Sequence, residues 1–197
     1  MGSTFIVVLA LLVVLALWGA AVYNRLRLLR NRVENAWSQI DVQLKRRHDL
    51  IPNLVEVARG YMQHEASTLE AVARARSQAV QASEALRGHT GQAQALGALA
   101  AAEQALGSSL GRLMVVAEAY PELKADAQMQ SLSEEIASTE NRIGFARQAY
   151  NDEVMAFNNK ASQFPDLIWA RLLGFAHMDM LQSTMNAQER QAPSVRF

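Results

Sequence analysis

The stretch Phe5 to Val22 reads FIVVLALLVVLALWGAAV, and its reading decides the fold. It carries no charge, and its strongest hydrogen-bonding side chain is the indole of Trp18. As a helix rising about 1.5 Å per residue it would be roughly 27 Å long, close to the hydrocarbon thickness of a bilayer. A soluble helix of this length normally keeps a polar face, and this one has none. The run therefore predicts a transmembrane helix over residues 5–24, preceded by a short extracytoplasmic N-terminus at 1–4. Trp18 and Tyr23 fall near one end, where amphipathic rings favour the interface.

A cleaved signal peptide is the rival, since Gly19-Ala20-Ala21 loosely matches a small-residue cleavage site. Signal peptides carry positive charge before the apolar run, and Met1 to Thr4 has none. The charge follows instead, at Arg25, Arg27, Arg30 and Arg32. By the positive-inside rule the body then lies in the cytoplasm, on a membrane crossed once. From Arg25 to Arg47 seven Lys or Arg face two acids; from His48 onward twelve face seventeen. This basic collar predicts contacts with anionic headgroups of the lipid bilayer, each worth about 1 kcal/mol near the surface. An acidic body with its arginines pinned beside a membrane argues against nucleic acid as a partner. The absence of cysteine from all 197 residues excludes disulfides and thiolate metal sites, so packing must supply the stability.

Beyond the collar, Leu26, Leu29, Val33, Trp37, Ile40 and Leu44 recur at steps of three or four, the spacing of one helix face. No turn residue separates them from the anchor, so the membrane helix is expected to continue as a stalk. Pro52 removes a backbone donor and crowds the carbonyl four residues back, which predicts a kink over 48–52. The period then resumes through Leu54, Val55, Ala58, Tyr61, Met62, Leu69, Val72 and Ala79 to about Ser83. Arg87 to Gly91 has turn composition, with Thr90 a possible cap. Leu96, Leu99, Leu106, Leu110 and Leu113 stripe a second helix that ends near Tyr120, before Pro121. Ser131 or Ser133 is expected to cap a third, whose stripe is Leu132, Ile136, Ile143, Tyr150, Val154, Phe157 and Phe164. Its sevens, fours and threes resemble a coiled-coil or bundle seam. Asp166 to about Leu181 reads as a short helix packed back on the bundle or the membrane surface. The tail at 184–197 lacks periodicity and is expected to be disordered. Long helices joined by short turns predict an all-α fold, a transmembrane helix continuing into an antiparallel up-and-down bundle over 25–183.

Several separated motifs resemble the LemA family of bacterial membrane proteins. They are Asn31, then Asn35-Ala36-Trp37, Gln39-Ile40-Asp41-Val42-Gln43-Leu44-Lys45-Arg46-Arg47 and Asp49-Leu50-Ile51-Pro52-Asn53-Leu54-Val55. Tyr120-Pro121-Glu122-Leu123-Lys124, Thr139-Glu140-Asn141-Arg142-Ile143 and Ala149-Tyr150-Asn151 follow in order. The resemblance implies a four-helix type of bundle on an N-terminal membrane helix. It carries over no catalytic residue, because the family has no established enzymatic activity.

The residues agree on that point. His64-Glu65 lacks the second histidine of a zinc-protease motif, and no Glu-x-x-His pair marks a di-iron bundle. The glycines at 88, 91, 97, 107 and 111 precede no Lys-Ser or Lys-Thr, so no phosphate loop forms. Gly107 and Gly111, four apart, suit close helix approach. His48, His64, His89 and His177 read as solvated or locally bonded. No metal or cofactor is implied, and an enzyme is not expected. One polar cluster stands out: Asp41, Arg46, Asp49, Asn53 and Glu56 near Pro52, with Glu140, Asn141 and Arg142 far along the chain. Its plainer reading is an exposed face laced by pairs worth a few tenths of a kcal/mol, about 0.2–0.5 each. The sharper one is a buried polar network that fixes register. The functional expectation is a membrane-anchored scaffold or adaptor, self-associating as a homo-oligomer. The alternatives are an accessory subunit of a membrane protease or transporter and, third, a hydrolase whose site the sequence hides.

Overall fold

The computed structural model describes residues 2–86 and 92–181. Among these residues it holds six α-helices and no strand: α1 (Gly2–Tyr61), α2 (Ala66–Leu86), α3 (Ala93–Ala117), α4 (Pro121–Ala125), α5 (Ala127–Ser162) and α6 (Asp166–Leu172). The turn expected at 87–91 with its Thr90 cap, and the tail at 184–197, lie outside the described residues.

α1 is one helix of 60 residues, about 90 Å long at 1.5 Å per residue. Its first part is long and apolar enough to cross a membrane. Side chains from Phe5 to Leu17 are exposed, whereas Val22, Leu26, Leu29, Val33, Trp37, Ile40 and Leu44 are buried. The same helix therefore passes from an uncovered apolar surface to a core stripe without a joint, as the turn-free sequence predicts.

Pro52 does not interrupt it. Proline leaves the carbonyl of residue 48 without its helical donor. Arg76 on α2 supplies one, its Nε donating to the His48 carbonyl at 2.6 Å. The true break falls at 62–65, which the uninterrupted period to Ser83 does not anticipate. There Glu65 N–H donates to the Met62 carbonyl, and the Glu65 carbonyl accepts from Thr68 and Leu69 to start α2.

α5 packs antiparallel along α1 in an even register. Tyr61 Oη donates to Asp126 Oδ2 at 3.1 Å at the tip, Arg47 meets Glu140 midway, and Trp37 meets Tyr150 edge-on at 6.0 Å lower down. Equal steps along both helices separate these contacts. α2 and α3 pair with each other beside α1 to complete a four-helix, up-and-down bundle. Every leucine of the α3 stripe is buried, as are Leu132, Ile136, Ile143, Tyr150, Val154 and Phe157 on α5, whereas Phe164, expected to end that stripe, falls beyond the helix and is exposed.

Asp126, rather than Ser131 or Ser133, caps α5 by accepting from Met129 N–H at 2.8 Å. That bond holds the Asp126 carboxyl below its ordinary pKa of 3.8, opposed by desolvation and aided by the Tyr61 hydroxyl. The same hydroxyl bond raises Tyr61 above 10.0. A lowered carboxyl pKa stabilises the fold above the unfolded value and loses that contribution as pH falls through the folded one. Acidification below 3.8 is thus expected to fray the first turn of α5. Hydrogen exchange at Met129 checks this, and Asp126→Asn, which keeps an acceptor, should abolish the pH dependence.

The last helix is shorter than expected. α6 stops at Leu172, where Gly174 takes φ +73°. Gly174 N–H donates to the Arg171 carbonyl at 3.2 Å and Phe175 N–H to that of Ala170 at 2.9 Å, a Schellman ending that turns the chain back. Residues 175–181 then run extended up α5. Asn158 brackets the Met178 backbone, donating to its carbonyl at 2.8 Å and accepting its N–H at 3.0 Å. Asn151 does the same for Leu181, at 2.8 Å each way. The fit is geometric: seven helical residues and three extended ones both span about 10 Å. Asn158→Ala leaves two buried backbone groups of Met178 unpaired. The expected cost is about 1–3 kcal/mol for each group left unmade, read from the denaturation midpoint and from faster proteolysis beyond Phe175.

Candidate functional site

The core is split in two. One apolar cluster gathers Val22 to Leu44 of α1 with Leu86, Leu96, Leu99, Ile143, Tyr150 and Phe157. The other gathers Ile51 to Met62 with α2 up to Ala79, Leu106 to Ala117 and Met129 to Ile136. Each long helix crosses the gap with a buried polar residue: Arg47 and His48 on α1, Ser83 on α2, Glu103 on α3 and Thr139 on α5.

Three of these residues, Arg47, His48 and Glu103, are joined directly, and the other two lie at the same level. Glu103 receives Arg47 Nη1 on Oε2 at 3.2 Å and lies 2.7 Å from His48 Nε2 through Oε1. Arg47 Nη2 reaches Glu140 at 2.6 Å. Glu140 is 54% exposed, so this arm of the layer opens to solvent. Arg76 joins α2 through the His48 carbonyl, and Ser83 Oγ donates to Asp41 Oδ1 at 3.2 Å. Thr139 turns inward to its own helix, donating to the Ile136 carbonyl. Among the described residues Arg47 Nε finds no acceptor. Beside the layer lies a cleft of about 80 Å³, lined by Trp37, Leu44, Leu99, Ile143 and the charged Arg47 and Arg147. Burial lowers the pKa of Arg147, and the charge of Glu140 opposes that shift.

The residues singled out near Pro52 divide. Asp41, Arg46 and Glu140 make contacts between helices, Arg46 through Nε and Nη2 to Glu135 Oε1 at 3.1 and 2.5 Å. Asp49, Asn53, Glu56, Asn141 and Arg142 are exposed, and Glu56 pairs with Arg59 three residues on. The buried network thus exists one residue over, on Arg47 and His48. His48 is neither solvated nor local. The missed signal was the stripe itself, since Leu96, Leu99, Glu103, Leu106, Leu110 steps by four and three straight through a carboxylate.

At the anchor end Arg25, Arg27, Arg30 and Arg32 are exposed, and Arg30 pairs with Glu34 at 3.4 Å. Trp18 stands edge-on to Trp169 at 6.2 Å, and Tyr23 meets Phe175 at 5.9 Å. The tight glycine is Gly19, where a Cβ would lie 3.0 Å from the Trp169 ring. Gly107 and Gly111 make no such approach: a Cβ at Gly111 meets nothing within 4 Å, and one at Gly107 meets Arg47 Nη2 at 3.7 Å. Among the described residues no group of three or more His, Asp or Glu is placed to hold a metal ion.

Chemically the layer is a lock on axial register. A slip of one turn of α1 against α3 would part Arg47 and His48 from Glu103 and leave them buried in an apolar layer, at several kcal/mol, on the order of 3–5. The protein is thus an antiparallel four-helix bundle, crossed by a polar layer and carried on a long apolar helix. It belongs to the LemA family, whose model matches residues 36–197. That match includes the whole layer and begins after the four arginines at 25, 27, 30 and 32. Among similar proteins are Magnetosome protein MamQ 2 and Magnetosome protein MamQ 1 of Paramagnetospirillum magneticum, each 26% identical over 175 residues covering 81% of this chain and 64% of theirs. Magnetosome protein MamQ of Magnetospirillum gryphiswaldense is 26% identical over 157 residues, 72% of this chain and 58% of its own. The chain therefore spans less than two thirds of the length of these relatives.

Proposed function

We propose that the protein is a membrane-anchored helical scaffold or adaptor, crossing the bilayer once with its N-terminus outside and its bundle in the cytoplasm. The observation that carries this reading is the single course of α1, exposed and apolar from Phe5 to Leu17 and core-forming from Val22 to Ala58. Exposed arginines directly after the apolar run support the orientation. A bundle whose register is locked offers partners a surface fixed relative to the membrane. The leucine stripes that first suggest self-association are consumed within the chain. Surface left for a second copy or another protein includes Val115 and Phe145.

Single cysteines in this cysteine-free chain test the topology. In intact cells a membrane-impermeant maleimide should label Gly2→Cys, and Asp49→Cys only after lysis; the reverse pattern overturns the orientation. Both should stay in the membrane after alkaline washing. Purified from native membranes in mild detergent, the full chain should retain a protein partner, or a second copy, at fixed stoichiometry. A partner-free monomer at every concentration would contradict the scaffold reading.

A further inference from the structure

We propose that the anchor end of the bundle makes a second lipid contact, with Phe164, Ile168, Leu172 and Leu173 entering the interface of the bilayer that α1 crosses. The inference rests on the spanning reading of α1 and adds a site to it.

The depth of α6 is set by what it touches. Trp169 lies against Gly19 and Trp18, inside the apolar run. Gly19 precedes Arg25, the first collar arginine, by six residues, so α6 is held about 9 Å to the anchor side of that charge. Interfacial helices rest at about that depth, roughly 5–10 Å into the boundary between headgroups and acyl chains. An element fixed to α1 there meets lipid whenever α1 spans.

Its surface suits the occupant. Trp169 and Ala170 turn inward, while Phe164 is 78%, Ile168 51% and Leu172 72% exposed. These three recur every fourth position, and Leu173 extends the patch. Outside the span, the other exposed large apolar side chains, such as Val42, Val115, Phe145 and Met155, are scattered over the bundle. No carboxylate of α6 faces out, because Asp166 is buried and held by Lys160. Arg171 is exposed beside Leu172, placed to reach anionic headgroups along its own apolar stem. The chain also returns as the site requires. After Gly174 it turns back, and Phe175 packs on Tyr23 and Phe157, leaving α6 as the tip of a hairpin on the membrane side. The occupant is therefore the bilayer already engaged by α1.

Full-length protein with one fluorescent label is reconstituted in phosphatidylcholine–phosphatidylglycerol vesicles. Labels at Leu172→Cys and Ile168→Cys are compared with Leu11→Cys in the apolar run and Glu70→Cys on the bundle. Each is quenched by lipid carrying a nitroxide on its acyl chain and, separately, by aqueous iodide. At positions 172 and 168 the lipid quencher should be several-fold the more effective, as at 11, with the order reversed at 70. If 11 is quenched by lipid while 172 and 168 are quenched by iodide, the second contact is overturned and the anchor stands. If 172 and 168 are shielded from both quenchers, a protein surface covers the patch, and the inference fails. If 11 itself is quenched by iodide, the spanning reading fails and takes the inference with it.

Discussion

Replacing Glu103 by leucine is expected to destabilise the bundle by about 3–5 kcal/mol, although leucine occupies the neighbouring positions of its stripe at Leu99 and Leu106. Apolar area alone would favour the change. What decides the sign is the pair of cationic or polar side chains left behind, Arg47 and His48, both buried and both turned toward the lost carboxylate. Removing one partner of a buried pair leaves the other to bear its desolvation alone. Arg47 keeps Glu140, but that arm is half in solvent and serves a different guanidinium nitrogen. The combined variant Arg47→Met, His48→Leu, Glu103→Leu removes all three buried polar groups and is expected to recover most of the loss, since well-packed apolar replacements of buried ion pairs are often neutral or better. Denaturation midpoints of the single and combined variants in the same detergent check both statements. A neutral Glu103→Leu would mean that the layer is not closed.

The second large effect is expected at Tyr150, where truncation to alanine should cost about 3–5 kcal/mol. Its ring is fully buried and stands edge-on to Trp37, so it joins α5 to α1 in the cluster nearest the anchor. Alanine leaves a cavity that two long, mutually registered helices cannot close without giving up contacts above and below it. Tyr150→Phe keeps the ring and is expected to cost far less, so the difference between the variants isolates the packing contribution. Because the polar layer separates this cluster from the one at the tip, hydrogen exchange should rise first between Val22 and Leu44, with Leu106 to Leu113 following only on global unfolding.

The stripes made the helices legible. Leu26 to Leu44, Leu96 to Leu113 and Leu132 to Phe157 are buried at the positions their spacing marks. Breaks were legible only where the backbone itself enforces them. At 62–65 the chain reads Met-Gln-His-Glu and turns through backbone bonds at Glu65; the one local signal is Gly60 just before it, too weak alone to mark a break inside an apolar period that runs on. Pro52 carries the opposite lesson: its local cost is real, but Arg76, 24 positions ahead on another helix, takes the orphaned carbonyl. Such compensation is tertiary and invisible to spacing. The polar site was half legible. Charge density near Pro52 pointed to the correct level of the bundle, yet charge density cannot say which side chains face inward. The stripe can, and reading Arg47 and Glu103 as members of their stripes would have found them.

One continuous element from the apolar run into the bundle is the central claim, and the distance across their junction tests it most directly. Nitroxide labels at Val14→Cys and Asp49→Cys, both exposed and 35 residues apart on α1, should lie about 52 Å apart if every residue between them rises 1.5 Å. Pulsed electron–electron double resonance on the full chain in nanodiscs is expected to give one narrow distribution near that value. A broad distribution, or one centred well short of it, would place a hinge near Gly19 or Asn24 and contradict the account.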